Sequence, residues 1–171
     1  MSAGAIPTGQ SHVPYRYAIA IGSNRRGRHG SPEREVAAAL SALAPLSASP
    51  IIVSAPLGPS IRRFANAVAL IDSAEPPPVL LARLKGLEQR FGRRSGQRWG
   101  ARVIDLDIIL WSGGIWRSTG LSVPHVAFRA RRFVLDPLAR IAPDWRDPQT
   151  GRTVRQLAAR ARAVDRRPHR S

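Results

Sequence analysis

Asp105 and Asp107 stand two residues apart in RWGARVIDLDIIL, residues 98–110, an otherwise apolar stretch. Along a strand, successive side chains point to opposite faces. The two carboxylates would therefore share one face with Val103 and Ile109, while Ile104, Leu106, Ile108 and Leu110 would form a core face. Like charges so placed repel, and burial makes ionising them harder still. The arrangement calls for a cation or for water. Mg²⁺ takes hard oxygen ligands and is usually held by one or two carboxylates together with substrate phosphates. Two such ions about 3.5–4 Å apart can clamp the attacking and leaving oxygens of a displacement. A D-x-D pair alone suits a solvated strand face equally well, so its neighbours must decide.

Those neighbours are basic. Upstream, GRRSGQRWGAR (92–102) places Arg93, Arg94, Arg98 and Arg102 among three glycines. Such a loop can bend over a triphosphate and bring guanidinium groups to its charge. As an isolated feature it would be an exposed basic hairpin. Downstream, LSVPHVAFRARRFVLDPL (121–138) supplies His125, Arg129, Arg131 and Arg132. A histidine after Pro124 with arginines close behind suits a phosphate contact, and no His spacing favours zinc. Near the N-terminus, IGSNRRG (21–27) follows a strand pattern but lacks the G-K-[ST] ending of a Walker A loop. It reads as a plain strand–turn–helix link.

The elements that must position these residues follow from pattern. Strands are expected at 17–24, 50–55 and 64–72, besides the aspartate strand. Ser31 as a cap, Pro32 in the first turn and acids behind it predict a helix over 31–46. Leu80, Leu84, Leu87 and Phe91 have helical spacing, and Gly92 follows as a stop. A short helix with a turn is expected over 130–143. Val154, Leu157, Ala158 and Ala161 predict a final amphipathic helix. The order strand, helix, strand, strand, helix, strand suggests an α+β, ferredoxin-like antiparallel sheet with helices packed on one face.

Composition sets the outer limits. A chain of 171 residues suits one domain with a real core. It has no cysteine, which excludes disulfides and thiolate chemistry. No apolar run is long enough for a membrane span, and the first residues lack the apolar centre of a signal peptide. A cytoplasmic protein is expected. The net charge of +16 comes from 27 basic and 11 acidic residues, and Lys85 is the sole lysine. Arginine is the better fork for phosphate, so nucleotides, nucleic acid or another polyanion are the natural partners.

Four blocks in order carry a resemblance: IGSN; PLGP followed by FANAV; LEQRFGRR followed by RWGARVIDLDIIL; and VPH followed by RRFVLDPL and IAPD. Together they resemble the 6-hydroxymethyl-7,8-dihydropterin pyrophosphokinases of folate biosynthesis over residues 17 to 158. The resemblance implies transfer of the β,γ-pyrophosphoryl unit of ATP to the pterin hydroxymethyl oxygen, with release of AMP. It implies two Mg²⁺ ions held by Asp105 and Asp107, and a ferredoxin-like fold. It implies catalytic lid arginines at Arg93 and Arg102, with Arg94, Arg98 and Trp99 in the same loop. His125 and Arg131 match phosphate contacts, Glu88 a helix acid framing the nucleotide site, and Ile108 and Ser122 further ATP-site positions. Phe64 and Phe133 match two aromatics that sandwich the pterin, and Asn66 the residue that reads its polar edge. Ser54 and Leu57 match the positions that complete that pocket. The implied unit spans 15–160, with flexible tails at 1–14 and 161–171, acting as a monomer.

The chain departs from the resembled pattern in places. SIRR fills the loop before Phe64, Ala101 stands where proline is usual and Lys85 where glutamine is common. The rival function is a basic nucleic-acid-binding module. Ferredoxin-like sheets bind RNA, but the aromatic RNP1 pattern of such sheets is missing, so no specific nucleic-acid partner is expected.

Overall fold

The computed structural model describes residues 14–54, 62–92 and 102–166. Nine strand residues, Tyr15–Ser23, form β1, followed by α1 (Pro32–Leu43). Two short strands, β2 (Ser47–Ala48) and β3 (Ile52–Ser54), lead to β4 (Phe64–Ser73). Then come α2 (Pro77–Arg90), β5 (Asp105–Trp111) and a small hairpin of β6 (Trp116–Ser118) and β7 (Leu121–Val123). The chain ends with a 3₁₀ turn at Phe128–Ala130, α3 (Arg132–Ile141) and α4 (Val154–Asp165).

The main sheet is antiparallel throughout, with β1 at its centre between β4 and β5. β2 and β3 lie one after the other along the far edge of β4. Between them Ser49 maintains the ladder: its N–H donates to Val68 O at 2.9 Å, and its Oγ accepts from Val68 N at 2.9 Å. The long β1–β4 pairing runs from Tyr15↔Ser73 to Ser23↔Ala65.

One face of the sheet receives α1 and α2. Val36, Ala39 and Leu43 of α1 and Leu80, Leu84 and Leu87 of α2 pack with Ile19, Ile21, Leu106 and Ile108. Burying each such aliphatic side chain contributes about 1.5–3 kcal/mol. The expected leucine spacing of α2 is thus its core stripe, and Gly92 ends the helix with φ of 95°. The opposite face is covered by α3 and α4, through Val134, Leu135, Leu138, Val154 and Leu157 against Ala18, Val68, Leu70 and Leu110. Helices therefore cover both faces, which corrects the one-face expectation. The ferredoxin-like order accounts for α1 and α2, and the two C-terminal helices add a second layer.

Strict alternation along β5 also fails at one point. Ala18 pairs with Leu110 and Ile19 with Ile108, so Ile109 is an extra residue, a bulge. Leu110 therefore turns away from Ile104, Leu106 and Ile108 and joins Ile109 in the second core cluster. Val103 precedes the strand and packs with the first cluster.

Boundaries shift modestly elsewhere. The β6–β7 hairpin and β2 were not expected from sequence. α4 opens on a capping box in which Thr153 Oγ1 accepts from Gln156 N at 3.2 Å and Gln156 Oε1 from Thr153 N at 3.0 Å. It continues to Asp165, so residues 161–165, expected in a flexible tail, are helical.

Candidate active site

The face that carries α3 and α4 is apolar at one end only. Toward the other end its side chains become small or polar. Gly22 of β1 pairs with Asn66 of β4 on one side and with Asp105 of β5 on the other. Ala20 pairs with Asp107. A Cβ at position 22 would lie 3.1 Å from Asn66 Oδ1, so glycine leaves the floor open. Ser54 and Phe64 are paired at the β3–β4 edge, and Asn66 Nδ2 donates to Ser54 Oγ at 3.4 Å. Phe133 lies in the first turn of α3, which packs on β4 and β3, and the Arg131 guanidinium sits 5.8 Å from its ring centre. One end of the sheet thus brings together Asp105, Asp107, Asn66, Phe64, Ser54 and Phe133.

Asp105 and Asp107 are both half-buried. Burial first, then the neighbouring Asp105 charge, push the Asp107 carboxyl above the ordinary carboxylate range, against the pull of His125, Lys85 and Arg131. An ionised pair there wants a cation. Among the described residues no group of three or more His, Cys, Asp or Glu could hold a metal. Two carboxylates without further protein ligands fit Mg²⁺, which takes its remaining oxygens from water and phosphate.

His125 is held by backbone. Its N–H donates to Ile109 O at 3.0 Å, and its Nδ1 accepts from Ala127 N at 3.1 Å. That bond fixes the proton of the neutral ring on Nε2. Burial lowers the His125 pKa, as does Arg131, against the attraction of Asp107. The ring is therefore neutral near pH 7, with Nε2–H free to donate to an anion. Ser122 lies in β7, which packs on β5, and Ile108 lies in β5 itself.

Glu88 is fully buried in α2. Its Oε1 accepts from Leu106 N at 2.8 Å and from Lys85 Nζ at 3.0 Å. Lys85 Nζ also reaches Leu106 O at 3.5 Å. The pair satisfies the outer edge of β5 midway between the two aspartates. Glu88 thus positions the aspartate strand.

Arg102 Nη1 donates to Asp105 Oδ1 at 2.8 Å. Its backbone is tied to the end of β1: Arg102 N donates to Asn24 Oδ1 at 2.8 Å, and Asn24 N to Arg102 O at 3.2 Å. Asn24 was not singled out from sequence as a support for Arg102. The signal was present in IGSN, but its partner lies 78 residues away. Arg93, Arg94, Arg98, Trp99 and Leu57 lie outside the described residues.

Comparison with known proteins agrees with this geometry. Residues 18–143 match the family model described as 7,8-dihydro-6-hydroxymethylpterin-pyrophosphokinase. A Pseudomonas aeruginosa protein named 2-amino-4-hydroxy-6-hydroxymethyldihydropteridine pyrophosphokinase is 40% identical over 151 residues, covering 84% of this chain and 90% of that one. A Haemophilus influenzae protein of the same name is 38% identical over 133 residues, covering 74% and 81%. Among solved structures, Plasmodium falciparum HPPK-DHPS with pteroate aligns with a TM-score of 0.65 at 13% identity. That alignment covers 89% of this chain and 43% of the longer one, and shows a shared fold.

Proposed function

We propose a division of labour among the residues of this chain, which belongs to the 7,8-dihydro-6-hydroxymethylpterin-pyrophosphokinase family. The reaction is transfer of the pyrophosphoryl group of ATP to the hydroxymethyl group of 6-hydroxymethyl-7,8-dihydropterin, with release of AMP, in folate biosynthesis.

The observation that carries the assignment is the single sheet end on which a carboxylate pair, an amide and an aromatic ring share one face. Asp105 and Asp107 would hold Mg²⁺, which when bound would neutralise the phosphate charge that otherwise repels the attacking oxygen. Two ions are assigned, because a carboxylate pair on one strand face would suit two Mg²⁺ ions that take their other oxygens from phosphate and water. His125 donates from Nε2 to a phosphate oxygen, and Arg131 stands beside it as a second phosphate contact. Phe64 and Phe133 hold the flat pterin between them. Asn66, steadied by Ser54, offers both a donor and an acceptor to the ring's polar edge. No side chain needs to form a covalent bond, since positioning and charge stabilisation supply most of the rate in phosphoryl transfer.

Arg102 acts in two stages. Without nucleotide it pairs with Asp105, a local cation for that carboxylate. With nucleotide and Mg²⁺ present it turns to the phosphates, while its backbone stays fixed by Asn24. Arg93, with Arg94, Arg98 and Trp99, completes the lid over the triphosphate, and Ile108, Ser122 and Glu88 frame the nucleotide. Leu57 completes the pterin pocket with Ser54. We assign the unit to residues 15–160 together with the rest of α4. We place the reaction on a monomer, and in the cytoplasm, where ATP and Mg²⁺ are at hand. Among the described residues no helix is long and apolar enough to cross a membrane.

The test is incubation with hydroxymethyl-dihydropterin, ATP and Mg²⁺, with nucleotide products resolved by chromatography. AMP should form only when the pterin is present, and Asp105→Ala or Asp107→Ala should nearly abolish it. Accumulation of ADP, or nucleotide hydrolysis without pterin, would overturn the reading.

A further inference from the structure

The basic loop between β1 and α1 is not used by the chemistry above, yet it is anchored by a buried charge. Gly27 and Gly30 exchange backbone hydrogen bonds at 3.1 and 3.2 Å, closing a tight turn around Arg28 and His29. Glu35 of α1 is fully buried. Its Oε1 accepts from His29 N at 2.7 Å and from Gly30 N at 3.2 Å, and its Oε2 lies 2.8 Å from His29 Nδ1. Both carboxylate oxygens are thus engaged by the loop. A buried carboxylate is a costly way to order a loop whose Arg25, Arg26 and Arg28 are exposed. Water can satisfy exposed backbone groups, and an apolar side chain at position 35 would avoid the desolvation of a charge. What the carboxylate does secure is where the loop lies against its neighbours.

That placement acts at two contacts. The His29 ring centre lies 5.0 Å from that of Phe91, at the end of α2. A Cβ at Gly27 would fall 2.5 Å from Val103 Cγ1 and 2.6 Å from Glu35 Oε1, so glycine lets the loop backbone lie directly against Val103. Val103 is the bend between Arg102 and the start of β5. Across that bend Arg102 Nη1 reaches Asp105 Oδ1 at 2.8 Å. Asn24 fixes the backbone of Arg102 itself, but a rotation one residue later, at Val103, would still carry the guanidinium away from the carboxylates.

We propose that Glu35 is a positioning residue for Arg102: it holds the Gly27 backbone against Val103, and so fixes the bend that keeps the Arg102 guanidinium beside the carboxylate pair. The inference rests on the assignment of Arg102 to the ATP phosphates made above. Neither Glu35 nor Gly27 belongs to the assigned substrate site, so both act through Val103. The crowding at position 27 sets the scale. Ordinary contact begins at 3.4 Å, so in Gly27→Ala the loop or Val103 has to move by about 1 Å, and a misplacement of that size can cost about 10²-fold in rate.

The experiment is a double-mutant cycle on the single-turnover rates of the full chain, with substrate dissociation constants measured alongside. Gly27→Ala and Glu35→Ala should each slow the chemical step about tenfold or more, while the dissociation constants for ATP and the pterin stay within about twofold. In an Arg102→Ala background the same substitutions should slow it by less than about twofold further, since the group they misplace is gone. Glu35→Gln keeps an acceptor oxygen for the two loop N–H groups and should recover most of the rate lost in Glu35→Ala. A merely structural role predicts no such coupling, because lost stability lowers the folded fraction in both backgrounds alike. Gly27→Ala adds one methyl group and carries the test if Glu35→Ala does not fold. A full rate in folded Gly27→Ala, equal slowing in the wild-type and Arg102→Ala backgrounds, or a fall in affinity that matches the fall in rate would overturn the inference. A full rate in Arg102→Ala would overturn it as well, by removing the role of the group that Glu35 positions. AMP formation by the wild type, measured separately, reports on the pyrophosphokinase reading, so the two fail in different ways.

Discussion

Replacing Asp107 with asparagine should abolish turnover and yet stabilise the metal-free protein. Two residues of strand span about 7 Å, at 3.3–3.4 Å each. Two unit charges that far apart, at an effective dielectric constant near 20, repel by about 2 kcal/mol. Part of this is already relieved. Arg102 pairs with Asp105 at 2.8 Å, and Lys85 and Arg131 attract Asp107. The expected gain from Asp107→Asn is therefore about 1 kcal/mol, with about 2 as the ceiling. In a chain of this size each kcal/mol moves the melting temperature by about 2–4 °C. The pH dependence has a definite sign. The folded-state pKa of Asp107 is raised, so its contribution to stability is fully present below the unfolded value, about 3.9, and is lost as pH rises through the folded value. The variant's advantage should thus be absent in acid and present at neutral pH. The assay is thermal unfolding in EDTA at several pH values, repeated with Mg²⁺ and a non-hydrolysable ATP analogue. A ligand at one hundred times its dissociation constant adds about 2.7 kcal/mol to wild type and should add much less to the variant. If Asp107→Asn unfolded below wild type at neutral pH without metal, or gained as much from the Mg²⁺–nucleotide complex, the charge reasoning would be wrong.

Three further outcomes test other parts of the site. Phe64→Ala and Phe133→Ala should each weaken pterin binding by about 1–3 kcal/mol, the scale of base–aromatic stacking, with little change in nucleotide affinity by calorimetry; unchanged pterin affinity would make them plain core residues. Glu88→Ala should destabilise the fold by about 2–3 kcal/mol in urea, because it strips the buried Leu106 N–H of its acceptor; a loss below 0.5 kcal/mol would show that the edge of β5 does not depend on it. Asn24→Ala should lower single-turnover rates about tenfold or more while substrate dissociation constants stay within about twofold, since it removes one of the two hydrogen bonds that tie the Arg102 backbone without touching substrate; equal losses in rate and affinity would remove its positioning role.

Much of the fold was legible because its signals are local. The leucine spacing of α2 and its Gly92 stop, the proline start of α1, and the strands expected at 17–24 and 64–72 each rest on residues within one element. What was not legible depended on partners far along the chain. The bulge at Ile109 follows from how β5 meets β1, and no residue in IDLDIIL marks it. Ile109 and Leu110 side by side carry no preference between faces until the Ala18 and Ile19 pairing divides them. The placement of α3 and α4 on the second face was missed for a related reason. The order of elements suggested helices on one face only, whereas both faces of β1 and β4 are apolar along the half that those helices cover.

The site shows the same division. The aspartates, His125 and the two phenylalanines were visible as residue types in a specific order, and the structure adds what order could not supply. The floor of the site exists because three neighbouring strands each lose bulk or polarity-matched packing at the same end: Gly22 and Ala20 in β1, Asn66 in β4, and Asp105 and Asp107 in β5. Small side chains at the centre of a sheet weaken its core, and here the loss is confined to the end that α3 and α4 leave uncovered. The bulge at Ile109 lies at the border between the two halves. On its far side β5 contributes Leu110 to packing against α3 and α4, and on its near side it presents carboxylates. Ile109 itself offers its carbonyl to His125 N at 3.0 Å. The irregular residue that ends the alternation of the strand is thus the one that fixes the histidine beside the aspartates. Deleting Ile109 would restore regular pairing with the aspartates and Leu110 still on their present face, and would remove the carbonyl that holds His125 N.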